Sequence, residues 1–322
     1  MGHGNYSHAA HAALIADRAS AGVEIFNQRG CHPLMNPHGL AMREARDSAD
    51  HPASLAIVFA LDVTGSMGDI PQLLARGELP TFMALLNRCG IADPQLLFMA
   101  IGDATADQAP LQVGQFESTA ALMDQWLTWS YLEGGGGGSG AESYELAFYM
   151  AACHTDLDCL VKRGKKGYLF ITGDEDPYPA VSRHQVATLV GESLDADIPI
   201  AEAIAAASES YHLFFLIPDL KRRGACERAW RQLLGDHVIC MEAPADACAV
   251  AASIVALTEG AAAGLDAVAA TLRTGGLAPA RVSAVVRALQ PYAALLDPAS
   301  VSDHAPATAA HEPAGWFRRM FA

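Results

Sequence analysis

Leu55–Ile70 reads LAIVFALDVTGSMGDI. Leu55 to Leu61 is an unbroken, mostly apolar run that stops at Asp62, and Thr64, Gly65 and Ser66 follow before a new apolar-periodic segment begins. A short apolar run closed by a polar turn predicts a strand buried on both faces, as in parallel sheets. Asp62, Thr64 and Ser66 then fall at the carboxyl end of that strand, where open α/β sheets bind their ligands. One carboxylate and two hydroxyls at alternate positions are hard oxygen donors, suited to Mg2+ rather than to zinc or copper. The plainer alternative is a strand-to-helix turn carrying Ser and Thr caps.

The pattern recurs along the chain. Gln95–Ile101 (QLLFMAI), Tyr168–Thr172 within GYLFIT, Tyr211–Ile217 and Val238–Met241 are predicted as buried strands, and Leu111–Phe116 as a short edge strand paired hairpin-fashion with the one before it. Helical periodicity covers His8–Ala21, Asp69–Asn87 (with Gly77 and Pro80 as points of kinking or splitting), Ser118–Trp129 and Glu142–His154. It continues in Ser182–Leu194, Ile200–Ser210, Gly224–Leu234 and Ala245–Leu257. Strands alternating with helices predict an α/β fold with a doubly wound, mostly parallel sheet, right-handed crossovers and a short antiparallel edge strand. Gly264–Leu272 and Ala278–Leu296 are predicted as appended C-terminal helices.

This divides the chain into an N-terminal extension (1–50) laid over the fold, an α/β domain (51–260), a helical appendage (261–297) and a flexible tail (298–322). The extension is read as a short helix and an irregular segment, Asn27–Asp50. Asp297–Glu312 is Pro/Ala-rich and reads as disordered. The terminus, Gly315-Trp-Phe-Arg-Arg-Met-Phe-Ala322, is either a docking peptide or weak amphipathic anchor, or a segment that folds back on the domain.

Composition narrows the function classes. Of 322 residues, 51% are hydrophobic and 18% charged, enough for a sizeable core. A formal net charge of −15 argues against a nucleic-acid or anionic-membrane surface and is compatible with a divalent cation. The cysteines, seven in number and without a CxxC pair, read as reduced thiols, so a cytoplasmic location is the expectation. Cys153, His154 and Cys159 resemble a zinc cluster on paper, but no second ligand pair lies near them in sequence. His3, His8, His11, His32, His38 and His51 match no ligand spacing and are read as solvated. No signal peptide, transmembrane stretch or GxxxxGK[ST] phosphate loop is evident, and Tyr6 stands where a myristoylation motif needs Ser or Thr.

Two further features point to the same sheet edge. Gly134–Gly140 (GGGGGSG) has the composition of a flexible linker, yet it feeds directly into the helix opening at Glu142 and is read as a ligand-side loop. The strand ending at Thr172 runs into Gly173-Asp174-Glu175-Asp176-Pro177. Asp62-x-Thr64-x-Ser66, the glycine loop with Ser139, and Asp174 together resemble the metal-ion-dependent adhesion site of von Willebrand factor A (VWA) domains of the bacterial intracellular kind, over about Leu55–Gly260. The resemblance implies a Rossmann-like fold and a Mg2+ site (Mn2+ or Ca2+ being alternatives) formed by Asp62, Thr64, Ser66, Ser139 and Asp174. It implies direct ligation by the hydroxyls of Thr64 and Ser66, with Asp62 acting through water. It further implies a partner protein whose Asp or Glu carboxylate completes the metal shell, and a non-enzymatic scaffold role; some relatives work beside MoxR-type AAA+ ATPases. The chain departs from the family's loop Thr, which is Ser139 here, and from its T-D-G, which reads Gly173-Asp174-Glu175. Glu175 and Asp176 are therefore candidates for the same role, and Asp103 and Glu142 are outer-shell candidates.

The rival is an enzyme. Asp62-Val-Thr-Gly-Ser also resembles the D-x-T-G-T nucleophile motif of haloacid-dehalogenase-type phosphatases, with Lys165 or Lys166 and Gly173-Asp174 in supporting roles. Ser66-Met67-Gly68 leads straight into a helix without room for that fold's flap, and the glycine loop would have no task. The VWA-type reading is preferred.

Overall fold

The computed structural model describes residues 5–22, 26–73, 79–135, 138 and 140–296. Ser139, Gly77, His3 and the tail from 297 onward lie outside the described residues. In chain order the strands are β1 (Arg43–Ala45), β2 (Leu55–Asp62), β3 (Pro94–Ile101), β4 (Leu111–Val113), β5 (Ala141–Glu142), β6 (Thr155–Leu157), β7 (Gly167–Thr172), β8 (Asp176–Pro177), β9 (Ala180–Val181), β10 (Ile198–Pro199), β11 (Tyr211–Ile217) and β12 (Val238–Cys240). The helices are α1 (His8–Ala21), α2 (Ile70–Leu73), α3 (Leu79–Arg88), α4 (Ala120–Trp129), α5 (Glu145–Cys153), α6 (Asp158–Arg163), α7 (Arg183–Leu189), α8 (Ile200–Ser210), α9 (Arg223–Leu234), α10 (Ala247–Thr258), α11 (Leu265–Thr274) and α12 (Pro279–Leu296).

The main sheet is six-stranded in the order β12-β11-β7-β2-β3-β4. All its pairings are parallel except β3 with β4. From β2 the chain winds outward through β3 and β4, then returns to the other side of β2 for β7, β11 and β12. That reversal puts the topological switch point between β2 and β7, the crevice where doubly wound sheets hold ligands. Every residue of β2 and β3 is buried, as expected of strands covered on both faces.

Alternation along β2 divides the core. Ile57, Phe59 and Leu61 point to one face, covered by α3, α4 and α10–α12; Ala56, Val58 and Ala60 point to the other, covered by α5 and α8. On the first face the register aligns Phe98, Phe59, Phe170 and Phe214 across neighbouring strands, with ring centroids 6.3, 5.4 and 5.4 Å apart. Such cross-strand aromatic pairs stabilise the register beyond their area burial. The opposite face is closed by α5, buried along its whole length. Val268, Leu272, Val285 and Leu289 of α11 and α12 enter the same cluster as the sheet.

The segment 27–50, expected to be irregular, contains β1, which pairs in parallel with β6. Arg163 fastens the segment: its guanidinium makes two hydrogen bonds to Asp47, at 2.7 and 3.0 Å, and a third to the Ser54 carbonyl at 2.7 Å. At the sheet edge, the Val113 amide donates to the Met35 carbonyl (2.8 Å) and the Val113 carbonyl accepts from Arg43 Nη2 (3.1 Å). Two histidines read as solvated prove to be buried. His11 is covered and its Nδ1 bonds the Tyr6 hydroxyl at 2.8 Å, while His51 lies 3.7 Å from Asp93. No described helix is long and apolar enough to cross a membrane.

Candidate functional site

The carboxyl ends of β2 and β7 bring together residues 108 or more positions apart in sequence (Ser66 and Asp174). Asp62, the last residue of β2, is fully buried. Its Oδ1 accepts from the Thr64 amide at 2.9 Å and the Thr64 hydroxyl at 2.6 Å. Thr64 Oγ1 lies 3.1 Å from Ser66 Oγ, which donates to Asp174 Oδ1 at 2.8 Å. Asp62, Thr64, Ser66 and Asp174 thus form one continuous chain of oxygens. It is closed to solvent at Asp62 and Thr64 and open at Ser66.

Gly65 and Gly68 let the turn after β2 stay tight, and the glycine loop is sewn to it. The Gly65 amide donates to the Gly135 carbonyl at 2.7 Å, and the Gly134 amide to the Val63 carbonyl at 3.1 Å. A Cβ at Gly65 would stand 3.0 Å from that Gly135 oxygen, so the close approach depends on glycine. Where the loop leaves, β5 pairs with β8, joining Ala141 to Asp176 and Glu142 to Pro177. The loop position assigned to Ser139 lies outside the described residues, but both flanks of the loop reach the site.

Two residues at the site, Tyr144 and Arg222, carried no sequence signal of their own. Tyr144, fully buried, donates its hydroxyl to Asp62 Oδ2. Its ring is held edge-on against Phe215 (5.4 Å) and Trp230 (5.5 Å), which stack on each other at 3.8 Å. Gly173 makes room for it: a Cβ there would lie 2.6 Å from Tyr144 Cζ and would meet the hydroxyl as well. This gives a reason for glycine directly before Asp174. Arg222, after β11, donates through Nε to Asp174 Oδ2 at 2.7 Å, through Nη2 to the Ser66 carbonyl at 2.8 Å, and through Nη1 to Asp219. A basic residue in the loop after a buried strand, on the same edge as Asp62 and Asp174, is the pattern that would have flagged it.

The electrostatics follow from burial and crowding. Burial pushes the Asp62 carboxyl up to about 7, the hydrogen bonds from Thr64 and Tyr144 pull it back, and the Asp174 charge raises it. Glu142, also buried, is pushed up to about 9, by burial first and then by Asp62, Glu175, Asp103 and Asp107. The Glu175 carboxyl is raised by burial and by Asp174, and its backbone carbonyl accepts from Trp230 Nε1 at 3.0 Å. Asp103 is buried, and its Oδ1 accepts from the Thr105 amide (2.8 Å), the Thr105 hydroxyl (2.7 Å) and the Tyr178 hydroxyl (3.0 Å). Asp176 is half-buried with its Oδ1 unpartnered. Glu142 therefore feels Asp62 more strongly than it feels Asp103, whose Oδ1 is held by Thr105 and Tyr178.

The donor set fits a hard divalent cation: carboxylate and hydroxyl oxygens converge, and neither nitrogen nor sulfur takes part. Among the described residues no group of three or more His, Cys, Asp or Glu is placed to hold a metal. The Cys153/His154/Cys159 arrangement accordingly does not form one; His154 Nε2 instead faces Glu192 at 3.2 Å.

No protein-family model matches the chain. No curated protein matches it. Among solved structures it is similar to proximal thread matrix protein 1 from the mussel byssus, at 8% identity and a TM-score of 0.41, over 63% of this chain and 47% of that one. It is also similar to the pilus adhesin SpaC of Lactobacillus rhamnosus GG, at 12% identity and a TM-score of 0.41, over 72% of this chain and 31% of the adhesin. A third likeness is to an aerotolerance-related membrane protein from Bacteroides fragilis, at 14% identity and a TM-score of 0.33, over 60% of this chain and 94% of that one. The chain thus spans less than half of the mussel protein and less than a third of the adhesin.

Proposed function

We propose that this chain is a VWA-type binding module. Its switch-point oxygens would hold a divalent cation, Mg2+ by preference, and through it the carboxylate of a partner protein. The observation that carries the reading is the oxygen chain from Asp62 through Thr64 and Ser66 to Asp174, at the crevice between β2 and β7. Thr64, Ser66, Asp62 and Asp174 would hold the ion, and a bound cation would supply an electrophilic position for an incoming Asp or Glu side chain. A shell with few charged ligands leaves such an ion hungry for a further anion. An AAA+ ATPase of the MoxR type is one partner that the family resemblance suggests.

Against a phosphoryl-transfer role stands the setting of Asp62. It is fully buried, and both its oxygens are engaged, by Thr64 and by Tyr144. The lysines that such a role would recruit are bonded elsewhere, Lys165 to Glu259 and Lys166 to the Ser208 carbonyl.

The test is calorimetric titration of the full chain with Mn2+, comparing wild type with Ser66→Ala. Saturable binding in wild type that drops at least tenfold in the variant supports the reading. Equal binding in both, with native circular dichroism, refutes it.

A further inference from the structure

The metal-site reading leaves Arg222 unexplained. One guanidinium joins the ends of three adjacent strands, through Ser66 after β2, Asp174 after β7 and Asp219 after β11. Asp219 is itself oriented, its Oδ1 accepting from the amides of Lys221 at 2.9 Å and Arg222 at 3.2 Å. Neighbouring basic groups act elsewhere: Arg223 and Arg231 pair with Glu227, and Arg228 acts on Asp176. The fork takes the Oδ2 lobe of Asp174 and leaves Oδ1 turned to Ser66. A planar guanidinium can make this three-way attachment, whereas a lysine ammonium would bring the charge without the fork.

Resting on the reading proposed above, we infer that Arg222 is a positioning residue that sets the charge balance of the site. It weakens the hold on a divalent cation and strengthens that cation's attraction for an incoming carboxylate. Asp62 and Asp174 both attract the cation, and each also offsets the positive charge that a partner's carboxylate would meet. By neutralising Asp174 while leaving Oδ1 bonded to the Ser66 hydroxyl, Arg222 leaves more of the cation's charge for the partner. The side chain is 28% exposed, which places it at the rim where an approaching anion would feel it. A residue that merely braces the loops would, on removal, weaken cation and anion binding together. A charge regulator moves them in opposite directions.

The experiment titrates the full chain with Mn2+ alone by calorimetry at low salt, then adds acetate to the Mn2+-loaded protein and follows water-proton relaxation. Wild type, Arg222→Gln, Arg222→Lys and Ser66→Ala are compared. Arg222→Gln is expected to bind Mn2+ about tenfold more tightly, the effect of removing one positive charge a few ångströms from a divalent ion. The same variant is expected to bind acetate about threefold or more weakly. Both differences should shrink in high salt. Arg222→Lys, which keeps the charge, should stay near wild type in Mn2+ affinity, and it carries the test if the Gln variant does not fold. Weaker or unchanged Mn2+ binding in a folded Arg222→Gln overturns the inference, as does a tenfold change in Arg222→Lys. Failure of wild type itself to bind Mn2+, or equal binding by Ser66→Ala, instead overturns the metal-site reading beneath it.

Discussion

Substituting Gly173 by alanine tests whether Tyr144 is wedged where the site needs it. The added methyl would stand 2.6 Å from Tyr144 Cζ and 2.7 Å from Cε1, far inside contact distance, and would press on the hydroxyl bonded to Asp62. These atoms belong to a rigid ring, fully buried between Phe215 and Trp230, so the strain cannot be relieved by turning a flexible tip. Overpacking of a core costs about 1–3 kcal/mol, and the rigid neighbour puts this position at the upper end. If the ring shifts, the hydrogen bond to the Asp62 carboxylate is strained as well, adding about 1 kcal/mol. The expected loss is about 3–4 kcal/mol, a drop in Tm of about 5 °C for a chain of this size. Urea unfolding followed by tryptophan fluorescence measures it. A double-mutant cycle with Tyr144→Leu isolates the clash, since Gly173→Ala should cost less than about 1 kcal/mol once the ring is gone. A Gly173→Ala variant within about 0.5 kcal/mol of wild type, or an equal cost in both backgrounds, would refute the reasoning.

Three further outcomes are expected. Because burial holds the proton on Asp62 up to about pH 7, a cation must displace it at lower pH. Mn2+ affinity should therefore rise about tenfold per pH unit below 7 and level off above it, and a flat calorimetric profile would count against the assignment of Asp62. The same shift has the opposite sign for the cation-free fold. An acid whose folded pKa is raised contributes stability at low pH that is lost as pH rises toward 7, and Asp62→Asn should remove that slope. Asp47 behaves in the reverse sense, since the hydrogen bonds from Arg163 hold its carboxyl well below the usual carboxylate range. Its contribution is present above the unfolded carboxyl's pKa near about 4 and lost on acidification below it. Asp47→Asn should therefore cost about 2–3 kcal/mol from about pH 7 down to about 4, and progressively less from there toward about pH 2. Urea unfolding across that range checks it; a cost independent of pH would show that the ion pair is not the source.

How far the sequence carried the fold depended on whether a signal was local. LAIVFAL is an apolar run, and with Asp62 added at its end it became β2 with both faces covered. Doubly wound order followed from alternation alone. The strand Arg43–Ala45 is the contrary case: three residues with no apolar run, existing because Thr155–Leu157 lies alongside. No local propensity announces a pairing so distant. The site divides in the same way. Asp62, Thr64, Ser66 and Asp174 are legible because they terminate strands, and strand ends gather at one edge. Tyr144 and Arg222 are not, because each draws its role from a neighbour supplied by another strand. Gly173 carried its message in an inversion, Gly-Asp where Asp-Gly is usual, and the reason emerges only with the Tyr144 ring above it.

The N-terminal segment that bonds Val113 has a consequence for assembly. An edge strand with free outward amides and carbonyls invites another strand to add to the sheet, the route to domain swapping and fibrous growth. At Val113 that invitation is already taken, the amide by Met35 and the carbonyl by Arg43. A fragment trimmed to begin at residue 51 would expose both groups and should self-associate through that edge. With the edge covered in the full chain, recruitment by strand addition is blocked at this position.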